Sequence, residues 1–205
     1  MSTQMDRSRS PLTSSSRLAL CLLLLSGASL LRAQTNISSV TPRVDVGVTY
    51  IAEVSLKAGT TNNFTLQGGS AELGFNFAHG FGIAGVYSDA HANSIGNSNV
   101  PLTLAFVGVG PRYRWHADRR ISAYAEGLVG VATGSDSLFP VNNSLVSSAS
   151  SYGQQIGGGI DYRVTNAFAI RALDVAYLRT TLPNATNGEQ NTLRIGAGLV
   201  LRFGH

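Results

Sequence analysis

The sequence predicts an all-β fold: an eight-stranded antiparallel up-and-down transmembrane β-barrel, preceded by a cleaved signal peptide. Three observations carry this. Apolar and polar residues alternate with period two in eight segments, the spacing of a two-faced strand. Short and long connections between those segments alternate along the chain. Charged residues share their strand face with glycine, and the opposite face is apolar, the reverse of a sheet bathed in water.

The chain has 205 residues, and residues 1–33 read as an address. Arg7, Arg9 and Arg17 form a basic region, Leu18 to Leu25 an apolar core, and Leu31-Arg32-Ala33 a cleavage site before Gln34. A membrane anchor is the competing reading, but the apolar core is short for about 30 Å of hydrocarbon. The expected division is a signal peptide over 1–33, read by the Sec pathway, and a barrel domain over 34–205. Cys21 is the only cysteine and follows Leu20, not the small residue a lipidation signal needs. A mature chain without it has no disulfide framework, cysteine metal site or cysteine nucleophile. Without the first 33 residues, eleven basic and ten acidic side chains remain. The basic character therefore belongs mostly to the leader, and nucleic-acid binding is not expected.

After Gln34 no apolar stretch approaches the roughly 20 residues of a membrane helix. The first predicted strand, 43–54, sets Val44, Val46, Val48 and Tyr50 against Arg43, Asp45, Gly47 and Thr49. The second, 64–78, alternates Leu73, Phe75 and Phe77 with Glu72, Gly74 and Asn76. The third is 81–90. The fourth, 102–115, ends in Gly-Pro-Arg-Tyr-Arg-Trp, where Pro111 predicts a bulge because it lacks an N–H. The fifth to seventh are 120–133, 152–164 and 167–180. The eighth, 192–203, is the most regular, with Leu193, Ile195, Ala197, Leu199, Leu201 and Phe203 on one face. Tight turns fall at His79-Gly80, His116–Arg119 and Thr165-Asn166. Long polar connections are expected over 55–63, 91–101, 134–151 and 181–191, all at one end. Short turns at one end and long loops at the other are the pattern of an outer-membrane barrel.

On this pattern the charges face a narrow lumen. An eight-stranded barrel has an interior just wide enough for side chains to fill, and glycine makes room for an arginine from another strand. The expected lumen acids are Asp45, Glu53, Glu72, Glu126, Asp161 and Asp174; the expected bases are Arg43, Arg112, Arg114, Arg163, Arg171, Arg194 and Arg202. Paired, they offset a desolvation cost of several kcal/mol per buried ion. A plugged, salt-bridged interior follows. Arg171 and Asp174 have opposite parity, so either one faces outward or a bulge resets the register.

The segments AFVGVGPRYRW, ISAYAEGLVGVA, GGGIDYRVTNAFAIR with DVAYLRT, and LRIGAGLVLRFG together resemble the OmpA/OmpX-like outer-membrane β-barrel superfamily, over essentially the whole mature chain. The resemblance implies an eight-stranded barrel in the outer membrane of a diderm bacterium, with no enzymatic site and no cofactor. It implies a role in envelope integrity or surface interaction through four long external loops. The partners implied are outer-membrane lipid and lipopolysaccharide, and the barrel-assembly machinery, which reads the closing aromatic strand. A monomer is expected, and the loops carry no motif that names an external ligand.

Other chemistries find little support. The glycines at 108–110 and 157–159 do not form a dinucleotide fingerprint, and no P-loop lysine is present. The histidines His79, His91, His116 and His205 are scattered, without the clustered partners of a metal site. A rim-sited lipid A-modifying enzyme would need an activated serine, and His91 with Ser94 or His116 with Asp118 come nearest. A narrow channel or transporter for small or apolar molecules is the main alternative. The Asn-x-Ser/Thr triplets at Asn36, Asn63, Asn142 and Asn184 are what chance gives in Asn- and Ser-rich loops.

Overall fold

The computed structural model describes residues 43–56, 64–95, 99–141, 144–184 and 188–204. The expected leader over 1–33 lies outside them, as does His205. Eight strands run β1 Val44–Leu56, β2 Thr65–Ala78, β3 Phe81–Ala92, β4 Leu102–Trp115, β5 Ile121–Val141, β6 Ser144–Arg163, β7 Phe168–Thr180 and β8 Gln190–Phe203. Each pairs antiparallel with the next, and β1 pairs with β8 to close the barrel. The closing seam is continuous, from Val44 opposite Phe203 to Leu56 opposite Asn191. Closure leaves no free edge within the barrel wall, which is how a sheet can cross hydrocarbon.

Burial alternates residue by residue along the strands. Outward stand Val48, Leu73, Ile83, Val107, Val109, Val129, Val131, Ile156 and Leu199, all exposed. Aromatic side chains flank this band. Phe77, Phe81, Trp115, Tyr162 and Phe203 are exposed near the short-turn end; Tyr50, Tyr87, Tyr152 and Tyr177 are exposed further toward the other. Phe81, Tyr113 and Trp115 pack edge to face, with successive ring centroids 4.7 Å apart. Two aromatic belts around an apolar band are the outer face of a membrane barrel.

Three departures from the sequence-based expectations stand out. First, 134–151 is not a long loop. β5 and β6 pair on from Ser135–Ser148 to Val141–Ser144, leaving only residues 142–143 between them. The buried ring of Phe139 anchors this ribbon by lying against Gly134, a packing contact that a serine-rich composition hides. Second, Pro111 marks no bulge. It pairs in register with Ile83, and the β4–β5 ladder skips Gly110 and Pro111 without shifting. The missing N–H is absorbed by this local gap, where the Gly127 carbonyl lies against Gly110 and leaves no room for a Cβ. Third, a bulge does occur in β7. Asp161 is opposite Arg171 and Ile160 opposite Leu173, so Ala172 is the extra residue. Ala172 and Leu173 both face outward, and Arg171 and Asp174 both turn inward.

Candidate functional site

The lumen has three layers of different chemistry. Nearest the short turns, Asp45 and Asp161 are fully buried. Arg114 spans them, with Nη2 3.0 Å from Asp45 Oδ2 and Nη1 2.7 Å from Asp161 Oδ2. Arg202 reaches the same two carboxylates, at 3.1 Å from Asp161 and 3.6 Å from Asp45. Ser122 Oγ accepts from both arginines, and Asn76 Nδ2 donates to Asp45.

The next layer is centred on Glu72. Arg171 donates to both of its oxygens, Nη1 to Oε2 at 2.8 Å and Nη2 to Oε1 at 2.9 Å, the two-point geometry that makes guanidinium–carboxylate pairs strong. Arg112 Nη2 lies 2.5 Å from Glu72 and 2.7 Å from Glu126. Arg171 also contacts Asp161 at 3.1 Å and Asp174 at 3.4 Å, and Asp174 meets Arg194 at 3.4 Å. The Tyr124 ring sits among three guanidiniums, 4.4 Å from Arg171, 4.8 Å from Arg112 and 5.3 Å from Arg114, while its hydroxyl donates to Asp174 at 2.5 Å. These pairs join five carboxylates and five arginines into one network of zero net charge.

Toward the long-connection end the lumen turns apolar. Ile51, Leu66, Val86, Leu104, Phe106, Leu128 and Leu178 are buried against one another, with Phe64, Phe139 and Leu182 above. Phe106 lies against Gly108 and Gly153, where a Cβ would come within 2.5 and 2.9 Å of its ring. The ion pairs thus concentrate toward the short-turn end, and apolar side chains predominate toward the other as a cap, beside the buried Glu53, Gln155 and Thr180.

Of the side chains predicted for the lumen, Asp45, Glu72, Arg112, Arg114, Glu126, Asp161, Arg163, Arg194 and Arg202 are buried, as are Glu53, Arg171 and Asp174. Glu53 lies opposite Arg194 in the β1–β8 register. Arg163 donates to the Ala117 carbonyl of a neighbouring turn. Arg43 is the correction: it is exposed, because it precedes β1, where its backbone N–H meets the Phe203 and Gly204 carbonyls and its carbonyl accepts from the Asn76 N–H. Tyr124, Ser122 and Asn76 were not singled out from sequence, although Tyr124 shares parity with Glu126. The apolar cap was missed too; its signal was the run of alternate apolar residues Leu102, Leu104 and Phe106 on the parity of Arg112.

At the rim, His91 meets a threonine. His91 Nδ1 is 2.8 Å from Thr103 Oγ1, and Thr103 donates to Asp136 at 2.7 Å. The carboxylate thus meets the hydroxyl, not the imidazole, and the nucleophile–imidazole–carboxylate order is not formed by these residues. Among the described residues no cluster of three His, Cys, Asp or Glu could hold a metal ion.

The closed barrel wall has a counterpart in a known family. The model of the outer membrane protein β-barrel domain matches residues 19–203. The chain belongs to that family. Solved structures share its fold. Neisserial surface protein A (NspA) matches with a TM-score of 0.58 at 14% identity, over 78% of this chain and 97% of its own. Ail, the attachment invasion locus protein of Yersinia pestis, in complex with the heparin analogue sucrose octasulfate, matches at 0.53 and 18% identity, over 78% and 99%. The outer membrane protein OprG from Pseudomonas aeruginosa matches at 0.50 and 10%, over 82% and 100%. At such identities the likeness is one of fold. No curated protein matches the chain in sequence. The protein is thus an eight-stranded outer-membrane β-barrel.

Proposed function

We propose that the protein is a closed, non-enzymatic barrel that contributes to envelope integrity or surface interaction through its long-connection end. The observation that carries this reading is the double seal of the lumen, a neutral ten-charge network below an apolar cap. Ions meet fixed, mutually paired charges in one layer and mostly apolar side chains in the next. What reaches outward among the described residues is the β5–β6 ribbon, so recognition belongs at that end. In this reading residues 1–33 direct export through the Sec pathway and are removed. The barrel-assembly machinery then inserts the chain as a monomer, with its short turns in the periplasm and lipopolysaccharide around its upper half.

Reconstitution into planar bilayers tests the seal. Folded single barrels are expected to show no steady ionic conductance, and stable open levels would refute a plugged lumen. A second reading, passage of small apolar molecules, is favoured by the apolar upper lumen. It requires that a strain lacking the protein take up an apolar solute more slowly; unchanged uptake discards it.

A further inference from the structure

At the short-turn end, a cavity of about 360 Å³ opens between the β2–β3 and β4–β5 turns. Its polar wall carries Arg43, Arg114, His79 and His116, with Asp118 the sole carboxylate, and its apolar wall includes Phe77 and Trp115. Arg114 is 2% exposed, and its Nη atoms are committed to Asp45 and Asp161. Its Nε has no hydrogen-bond partner among the described residues. His79 and His116 sit at φ 53° and 52°, left-handed conformations that cost a non-glycine residue energy and are worth a functional question. The surrounding rim adds the exposed Arg119 and Arg120.

Guanidinium and imidazole side chains lining a cavity beside an aromatic wall suit an anion attached to something apolar. Phe77 and Trp115 belong to the lower aromatic belt, the level at which a bilayer's headgroups meet its chains. We infer that this cavity binds the phosphate group of a glycerophospholipid, with the arginines and histidines on the phosphodiester and the start of an acyl chain along Phe77 and Trp115. Such a site fixes the depth and rotation of the barrel in the inner leaflet. The inference rests on the membrane placement proposed above, with the short turns at the periplasmic face.

Trp115 is the chain's only tryptophan, so its emission reports on this cavity. Barrel folded in glycosidic-detergent micelles, which carry no phosphate, is titrated with dihexanoyl phosphatidylglycerol, with dihexanoylglycerol and with inorganic phosphate. The phospholipid is expected to give a saturable change in Trp115 emission and a broadened 31P resonance, and the other two are expected to bind far more weakly. Arg43→Gln combined with His116→Gln, both exposed positions, is expected to raise the Kd about tenfold or more, the effect of losing charge-assisted hydrogen bonds. An equal curve with dihexanoylglycerol overturns the phosphate, and an equal curve with inorganic phosphate overturns the lipid. An unaffected double variant overturns the site, as does the absence of a saturable response in both measurements. Failure of the barrel reading itself is distinguishable, because the unaltered protein would then show no mobility shift on boiling.

Discussion

Arg171 touches Glu72, Asp161 and Asp174 while its guanidinium lies over the Tyr124 ring. Among the described residues only Asp161, which meets Arg114, Arg171 and Arg202, links as many charges. Removing it would leave three carboxylates short of a partner inside the barrel, where breaking one buried pair costs about 3–5 kcal/mol. Arg171→Met is therefore expected to destabilise the barrel by at least about 3 kcal/mol in reversible urea unfolding from lipid vesicles. Arg179→Met, at an exposed pair with Glu189, should change it by less than about 1 kcal/mol. Gly110→Ala tests close packing of backbone on backbone. A Cβ there meets the Gly127 carbonyl, and a loss of about 1–3 kcal/mol is expected in the same assay. At this scale parity made much of the lumen legible: Asp45, Glu72, Arg112, Arg114, Glu126 and Asp161 could be assigned by counting in twos along their strands. Tyr124 shares that parity, but its packing among guanidiniums from other strands and its bond to Asp174 are not read from parity. Arg43 was misplaced because parity says nothing about whether a neighbouring strand extends far enough to cover a side chain.

β5 and β6 show what composition conceals about elements. Gly134 to Ser151 reads as a polar loop, yet it pairs as a ribbon with two extra residues in β5 between Ser135 and Phe139, where Asp136 takes a φ of 61°. The driving contact is Phe139 packed into the cap, distant in sequence from most of what it touches. Phe139→Ala is expected to cost about 3–5 kcal/mol. Leu138→Asp and Leu145→Asp, on exposed positions of the same ribbon, should each stay within about 0.5 kcal/mol. Equal losses at all three positions would show that the ribbon does not bear on the cap. β7 teaches the complementary point. Opposite parity at Arg171 and Asp174 raised the possibility of a bulge from sequence, but only the pairing with β6 and β8 places it at Ala172.

For the whole molecule, the decisive feature is that its alternation is inside out. The outward positions from Val48 to Leu199 are apolar and exposed, and the inward ones hold the charge network. In water this surface would drive aggregation; against lipid it is the surface a barrel needs. A charge placed at mid-band is accordingly expected to be costly, with Val107→Arg losing about 2–4 kcal/mol in vesicles. The eight strands, their order and the end that carries the longer connections were legible in sequence because period two and turn residues are local signals. The apolar cap was not, because it is assembled from six or more strands whose separate contributions look like ordinary strand residues. The central claim, a closed barrel with its apolar face in the membrane, is tested most directly by the mobility of membrane-fraction protein in detergent gels with and without boiling. A closed barrel gives a folded band displaced from the unfolded position, which converts to it only on heating. Protein confined to the soluble fraction, with one identical band before and after boiling, would contradict the claim.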